Sequence, residues 1–317
     1  MNARTARQWM VTHEWMVKPM AQTEWIQGQG LMVWLAEVFS ALGSGLFLVS
    51  LFLHSWWGAL FGWLLILLFK FPLHLFYLGK PARFWRAFPP FSKAWRTSWF
   101  ARGVVFTALF VGFGAIQLVT SYLLHYDVIS GSAASAINVV NWVMMILSGI
   151  FIVLTGVYAG FAMSYCKSVP FWNTGLLPMV FLIMGVADGL ALVTGVGRVT
   201  GGINAASVES ATRIVLIINS LLILTYLINA RYQSATAELS VKELIVGRLA
   251  VVFWGGIVVL GITVPFVISI ISLFAGEASL PILVVAIICH TIGAFSLKYG
   301  VLKVGIYRPL LPKTSAF

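Results

Sequence analysis

Apolar residues run through this chain in long stretches broken by short polar connections, and the stretches have the length of bilayer crossings. A membrane-spanning helix needs about 20 mostly apolar residues. Eight windows qualify: 31–53, 56–77, 101–125, 137–164, 175–196, 208–230, 249–274 and 280–302. Gly43, Gly45, Pro72, Pro178 and Pro265 fall inside them. Membrane helices tolerate such residues, and small ones let backbones approach closely. The pattern predicts an all-α polytopic membrane protein, an eight-transmembrane-helix bundle over residues 31–302 with a C-terminal tail at 303–317. Residues 1–30 contain Arg4, Arg7, Glu14, Lys18 and Glu24 but lack the apolar core of about 7–15 residues that export requires. With Trp9, Trp15 and Trp25 among those charges, they read as an arm at the membrane interface. No internal repeat or low-complexity tract divides the chain.

Composition narrows the function. Hydrophobic residues make up 60% of the 317, charged residues only 9%, whereas soluble domains carry about 25% charge. A soluble enzyme is excluded. The net charge of +11 would suggest a nucleic-acid partner, but its distribution says otherwise. With the N-terminal side termed side A, an even span count returns the C-terminus there. Side A then holds 16 of the 20 Lys and Arg residues, and only Arg198 and Arg213 belong to side B. The positive-inside rule places side A, with both termini, in the cytoplasm and the chain in the cytoplasmic membrane. Two cysteines, Cys166 and Cys289, lie in different segments and can house neither a disulfide framework nor a metal cluster.

Ionisable groups within spans are costly and mark function by default. Glu37 lies six residues into the first span, roughly 9 Å at about 1.5 Å per residue. His74 is three residues from the side-A end of the second, with Lys70 four residues deeper on the same helical face. Ser98 and Arg102 open the third span from side A, and Tyr158 is six residues before the end of the fourth. Groups able to exchange protons or hydrogen bonds thus fall at similar depth near one surface. That suits a quinone head group, whose oxidation and reduction need hydrogen-bond partners at both ring oxygens and a proton acceptor. Glu37 at that depth calls for a partner such as Lys70 or Arg102. Asp188, about 12 residues into the fifth span, reads equally as a proton relay or as a helix–helix hydrogen-bond donor. A b-type haem wants two depth-matched histidines on different helices. His54 and His125 sit at helix ends near side B, and His74 has no such partner, so no haem is expected.

The connection after the second span reads Tyr77-Leu-Gly-Lys-Pro-Ala-Arg-Phe-Trp-Arg86, followed by Thr97-Ser-Trp-Phe-Ala-Arg-Gly103. The fourth span ends in Thr155-Gly-Val-Tyr-Ala-Gly160, then come Val169-Pro-Phe-Trp-Asn173 and Leu177-Pro-Met-Val-Phe181. Together these motifs resemble the polysulfide-reductase/NrfD and DmsC group of eight-helix membrane anchors, best over the first five spans. The resemblance implies menaquinone or ubiquinone as redox partner, and electron exchange with an iron–sulfur subunit wired to a molybdopterin catalytic subunit. It implies a quinone contact at Tyr158. DmsC-type anchors carry a quinol-site histidine directly before the LG pair, where this sequence has Tyr77, with His74 three residues earlier. Among relatives, the anchor of the cytoplasmic sulfite-oxidising molybdoenzyme is most similar in layout. Gly79-Lys-Pro81 should end the second helix sharply. Arg83, Arg86, Lys93 and Arg96, with Trp85 and Trp99 beside them, then form a basic platform suited to docking a peripheral subunit. Two other readings stay open: an ion- or solute-translocating protein with Glu37, Lys70, Asp188 and Lys298 along a path, and a structural anchor whose partner holds the quinone.

Overall fold

The computed structural model of the protein describes residues 16, 18–77, 79–88, 93–276 and 278–310. Eight helices among them are long and apolar enough to cross a membrane: α1 (Gly30–Phe52), α2 (Trp56–Tyr77), α3 (Trp99–His125), α4 (Gly131–Ser164), α5 (Leu176–Thr200), α6 (Ala205–Gln233), α7 (Val252–Ala275) and α8 (Leu280–Lys303). The protein is an all-α multi-pass membrane protein, as the apolar pattern predicts. Helix starts follow local chemistry. Ser55, Ser98 and Asn204 each accept a backbone N–H from three residues ahead, at 3.2, 3.3 and 3.1 Å, satisfying a donor that the helix ladder leaves open.

Two spans depart from a regular α-helix. In α2, Ile66–Lys70 forms a π-helical turn in which the Phe71 N–H reaches back to Ile66 O, directly before Pro72. In α7, Val252–Thr263 is π-helical before α-geometry resumes at Val264. Such wide turns concentrate at functional sites. Helix α4 is 34 residues long, roughly 51 Å at 1.5 Å per residue, so it outruns a hydrocarbon core of about 30 Å. Its first turns, Gly131–Ala136, are too small and polar to register in hydropathy.

Helices α1 and α5 are the most buried and form the centre of the bundle. Glycine sets their separation: a Cβ on Gly45 would stand 1.6 Å from Gly185 O, and one on Gly189 would stand 2.2 Å from Gly45 O. A second close crossing joins α7 to α8, where a Cβ on Gly293 would meet Gly261 Cα at 2.1 Å. The large apolar side chains left exposed, such as Phe52, Trp142, Val251 and Phe274, ring the bundle as lipid-facing surface requires.

On side A the two ends of the described chain are tied together. Met20–Ala21 (β1) pairs antiparallel with Ile306–Tyr307 (β2), Met20 opposite Tyr307. The Gln22 amide, buried, donates to Leu302 O, and Tyr307 Oη donates to Glu24 Oε2 at 2.9 Å. The expectation of an interfacial arm over 1–30 divides here. Trp9 and Trp15 lie outside the described residues, and Trp25 is packed inward against Trp172 and Phe100, with ring centroids 5.2 and 5.5 Å away. Trp172, from the Pro-Phe-Trp-Asn motif, donates its indole N–H to Val301 O at 2.7 Å. That motif therefore locks the α4–α5 connection onto the end of α8.

Gly45→Val should separate α1 from α5, costing at least the 1–3 kcal/mol typical of overpacking. The variant should lose the monodisperse size-exclusion peak of the detergent-solubilised protein. Gly112→Ala, where an added Cβ meets nothing within 4 Å, should leave that peak and the thermal midpoint unchanged.

Candidate functional site

Near the side-A end of the bundle, titratable side chains from four spans meet out of reach of water. Glu37 of α1, Lys70 and His74 of α2, Tyr158 of α4 and Lys298 of α8 are each at least 97% buried. Position along each helix explains the meeting. The π-turn ends at Lys70, and the α-helical turn after it carries His74 inward on the same side. Gly103 of α3, in the Ser-Trp-Phe-Ala-Arg-Gly motif, makes room for Tyr158: a Cβ there would lie 2.4 Å from the phenol ring.

Tyr158 is the hub. Its hydroxyl lies 3.0 Å from Glu37 Oε1 and 3.2 Å from His74 Nδ1. A phenol has one proton to give. When it donates to the Glu37 carboxylate, it must accept from an N–H at His74 Nδ1, which leaves His74 Nε2 with a free lone pair. Glu37 Oε2 and His74 Nε2 are both buried without a hydrogen-bond partner. Lys298 Nζ stands 4.0 Å from that Glu37 oxygen, above the Phe181 ring. Lys70 donates to Thr107 Oγ1, which itself donates to Gly103 O at 2.8 Å, and the Lys70 ammonium sits 4.7 Å from the Tyr158 ring centroid. Two cations, one carboxylate, a phenol and an imidazole thus share one dry cluster. Two of its hydrogen-bonding atoms, Glu37 Oε2 and His74 Nε2, have no partner.

Three residues expected in this cluster lie beside it. Arg102 does not pair with Glu37: its guanidinium donates to Trp95 O at 3.0 Å and Arg96 O at 2.9 Å and covers the Trp99 ring. Both carbonyls belong to the short helical turn Ala94–Thr97 that precedes α3. Ser98 caps α3. Tyr77 stacks on Phe100, which also stacks on the His74 ring, 5.5 Å away and nearly parallel. Asp188 is not a lone acid: His290 Nε2 of α8 lies 3.0 Å from its Oδ1, both groups buried. The sequence marks Lys298 and His290 as intramembrane ionisable residues but not as neighbours of Glu37 and Asp188. Lys298 lies five residues before the side-A end of α8, a depth close to that of Glu37, and depth matching alone could have joined them.

The loop on side A keeps its basic character. Gly79, at φ +72°, ends α2 in a backbone conformation that favours glycine, and Pro81–Ala87 follows as a 3₁₀ turn. Arg83, Arg86, Lys93 and Arg96 are exposed, and Trp85 is 46% exposed with Arg86 lying against it. Trp99 is instead stacked on Phe161 at 4.8 Å and belongs to the α3–α4 packing.

The family described as polysulphide reductase, NrfD matches residues 57–309. The sequence is 30% identical over 148 residues to the C subunit of the polysulfide reductase of Wolinella succinogenes, a stretch that makes up 45% of the present protein and 44% of that subunit. It is 24% identical over 180 residues to the NrfD homolog of Haemophilus influenzae, covering 55% of each. The alignments thus span about half the length of these curated relatives. A match over most of the helical bundle, including the loop and the Tyr158 segment, establishes that the protein belongs to the NrfD/polysulfide reductase family of membrane proteins.

Proposed function

We propose that the protein is the quinone-interacting membrane anchor of a molybdopterin oxidoreductase complex. It exchanges electrons with an iron–sulfur subunit docked on the side-A loop. The single observation that carries this reading is the pair of unpartnered buried atoms, Glu37 Oε2 and His74 Nε2, beside the Tyr158 hydroxyl. A site that holds buried polar atoms open fits a ligand that supplies their missing partners. A quinone, either menaquinone or ubiquinone, brings two ring oxygens and, on interconversion with its quinol, two electrons and two protons.

The protein's own residues divide the work. His74 Nε2 accepts a hydrogen bond or a proton at one end of the cluster, and Glu37 does so at the other. Tyr158 holds both in register through its hydroxyl. Lys70 and Lys298 offset the carboxylate charge where no water can. Phe100 stacks on the His74 ring. Arg83, Arg86, Lys93 and Arg96 offer an acidic partner surface a cationic seat, which steers association more than it strengthens it. Side A, rich in Lys and Arg, faces the cytoplasm of a cell whose inner membrane holds the complex. The layout favours a cytoplasmic sulfite:quinone oxidoreductase.

Glu37→Gln, His74→Ala and Tyr158→Phe should each lower quinone-coupled turnover by about 10²–10⁴-fold, the usual weight of positioned acid–base groups. Activity of the soluble subunits with an artificial dye should persist. Unchanged quinone turnover in all three would remove this site. A charge reversal, Arg83→Glu with Arg86→Glu, should reduce co-purification of the soluble subunits, most strongly at low ionic strength where the charges are least screened. Full retention of those subunits at low salt would move the docking surface elsewhere.

A further inference from the structure

Two neighbouring cavities at the side-B end of the bundle lie apart from the Glu37 cluster. Helices α1 and α3 end on that side and α2 and α4 begin there, so their terminal turns share one level. The first cavity, about 320 Å³, opens among these turns. Its polar walls are Ser50 of α1, His54 of the α1–α2 turn, Gln117 and His125 of α3, and Asn138 and Asn141 of α4. Trp56 and Trp142 stand beside them, as aromatic residues do at a bilayer interface. Trp56 is fixed by its indole N–H on Leu118 O at 3.0 Å, and Asn141 by Thr120 Oγ1 at 3.0 Å. Two buried atoms in these walls have no partner, Gln117 Oε1 and Ser50 Oγ, on residues 5% and 1% exposed. A carbonyl oxygen only accepts, so the group that completes Gln117 brings an N–H or an O–H. Among the described residues, no Lys, Arg, Asp or Glu lines the cavity. An occupant with a net charge would find no counter-ion there.

The second cavity, about 520 Å³, is an apolar slot between α1 and α4. Leu51 and Met145 wall both cavities, so the two meet at these residues. From Met145 the slot follows α4 past Gly149 and Val153 to Leu154. That is roughly 14 Å at 1.5 Å per residue, about half of a 30 Å hydrocarbon core and hence one leaflet. A hydrogen-bonding chamber at the interface with a hydrocarbon slot leading inward from it has the shape of a single amphiphile.

We propose that the two cavities together bind one amine-bearing zwitterionic glycerophospholipid of the side-B leaflet, a phosphatidylethanolamine. Its ammonium donates to Gln117 Oε1 and Ser50 Oγ and lies near the indole faces. Its own phosphate balances that charge, as a chamber without carboxylates cannot. The phosphate and ester oxygens accept from the imidazole N–H groups of His54 and His125 and the amide of Asn138, and one acyl chain fills the slot. The lipid joins α1 to α4 at side B, as the Glu37–Tyr158 hydrogen bond joins them at side A. It thereby braces the two helices that bring those residues together. The inference does not depend on the quinone reading.

The test uses the full-length protein in mild detergent, exchanged against equal amounts of phosphatidylethanolamine and the anionic phosphatidylglycerol and read by native mass spectrometry. Wild type should retain one phosphatidylethanolamine, with at least about tenfold preference over the anionic lipid. Gln117→Leu, which removes the acceptor at similar volume, and Gly149→Phe, which fills the slot, should each cut retention at least about tenfold. Within 4 Å an added Cβ on Gly149 meets only Leu51 Cδ1, at 3.6 Å, so that variant should keep its size-exclusion peak. Ile217→Phe, on the lipid-facing surface of α6, should retain lipid as wild type does. Phosphatidylethanolamine should also raise the thermal midpoint of delipidated wild type, because it binds the folded state, and should leave that of Gln117→Leu where it is. Equal retention of the two lipids by wild type, which needs no variant to read, overturns the proposal. So does equal retention in wild type and both cavity variants, the mark of annular lipid only, and so does the absence of retained lipid, the mark of a water-filled vestibule. None of these readouts involves a quinone or electron transfer, so their failure leaves the quinone reading standing.

Discussion

Charge neutralisation without water is the constraint on which this bundle turns. An ion taken into a dry interior loses several kcal/mol of hydration. Two unit charges about 4 Å apart regain roughly 4 kcal/mol at an effective dielectric of about 20. No single partner suffices, so each buried charge needs more than one contact. Lys70 has Thr107 and the face of Tyr158; Lys298 has Glu37, Asp188 and the Phe181 ring; Glu37 has Tyr158 and Lys298. Removing any one leaves a charge stranded, which ties the chemistry of the site to the stability of the fold.

The same constraint explains the placement of the helices. Glu37 and Asp188 sit on α1 and α5, the two spans most shielded from lipid. Those spans can be central only because Gly45, Gly185 and Gly189 let their backbones touch. The glycines thus decide how close a carboxylate on one helix comes to a lysine on another. The two π-helical stretches lie beside the same groups, one ending in Lys70 and the other holding the Gly261 carbonyl that orients His290.

Much of the fold is readable in the sequence, because a span announces itself by about 20 apolar residues whatever its neighbours are. All eight spans overlap their hydropathy windows, and the start of α4 shifts where small polar residues continue a helix that hydropathy cannot see. The site is readable only in depth. Glu37, Lys70, His74 and Tyr158 share a level in the membrane, and depth follows from sequence position. Rotation about each helix axis does not. That is why Arg102, at the right level, turns toward the carbonyls of the Ala94–Thr97 turn, and why the pairing of Lys298 and His290 with their carboxylates emerges only in three dimensions. The wide turn before Pro72 adds to this, since it shifts the register of α2 in a way no regular periodicity predicts.

The central claim is that Glu37 Oε2 and His74 Nε2 are held open for a quinone ring. Fluorescence titration of the detergent-purified full-length protein with a hydroxyquinoline N-oxide, a quinol analogue whose emission is quenched on binding, addresses it most directly. Saturable one-site quenching in wild type is expected, weakened at least about tenfold, or 1.4 kcal/mol, in both Glu37→Gln and His74→Ala. Equal affinity in the wild type and the two variants would contradict it.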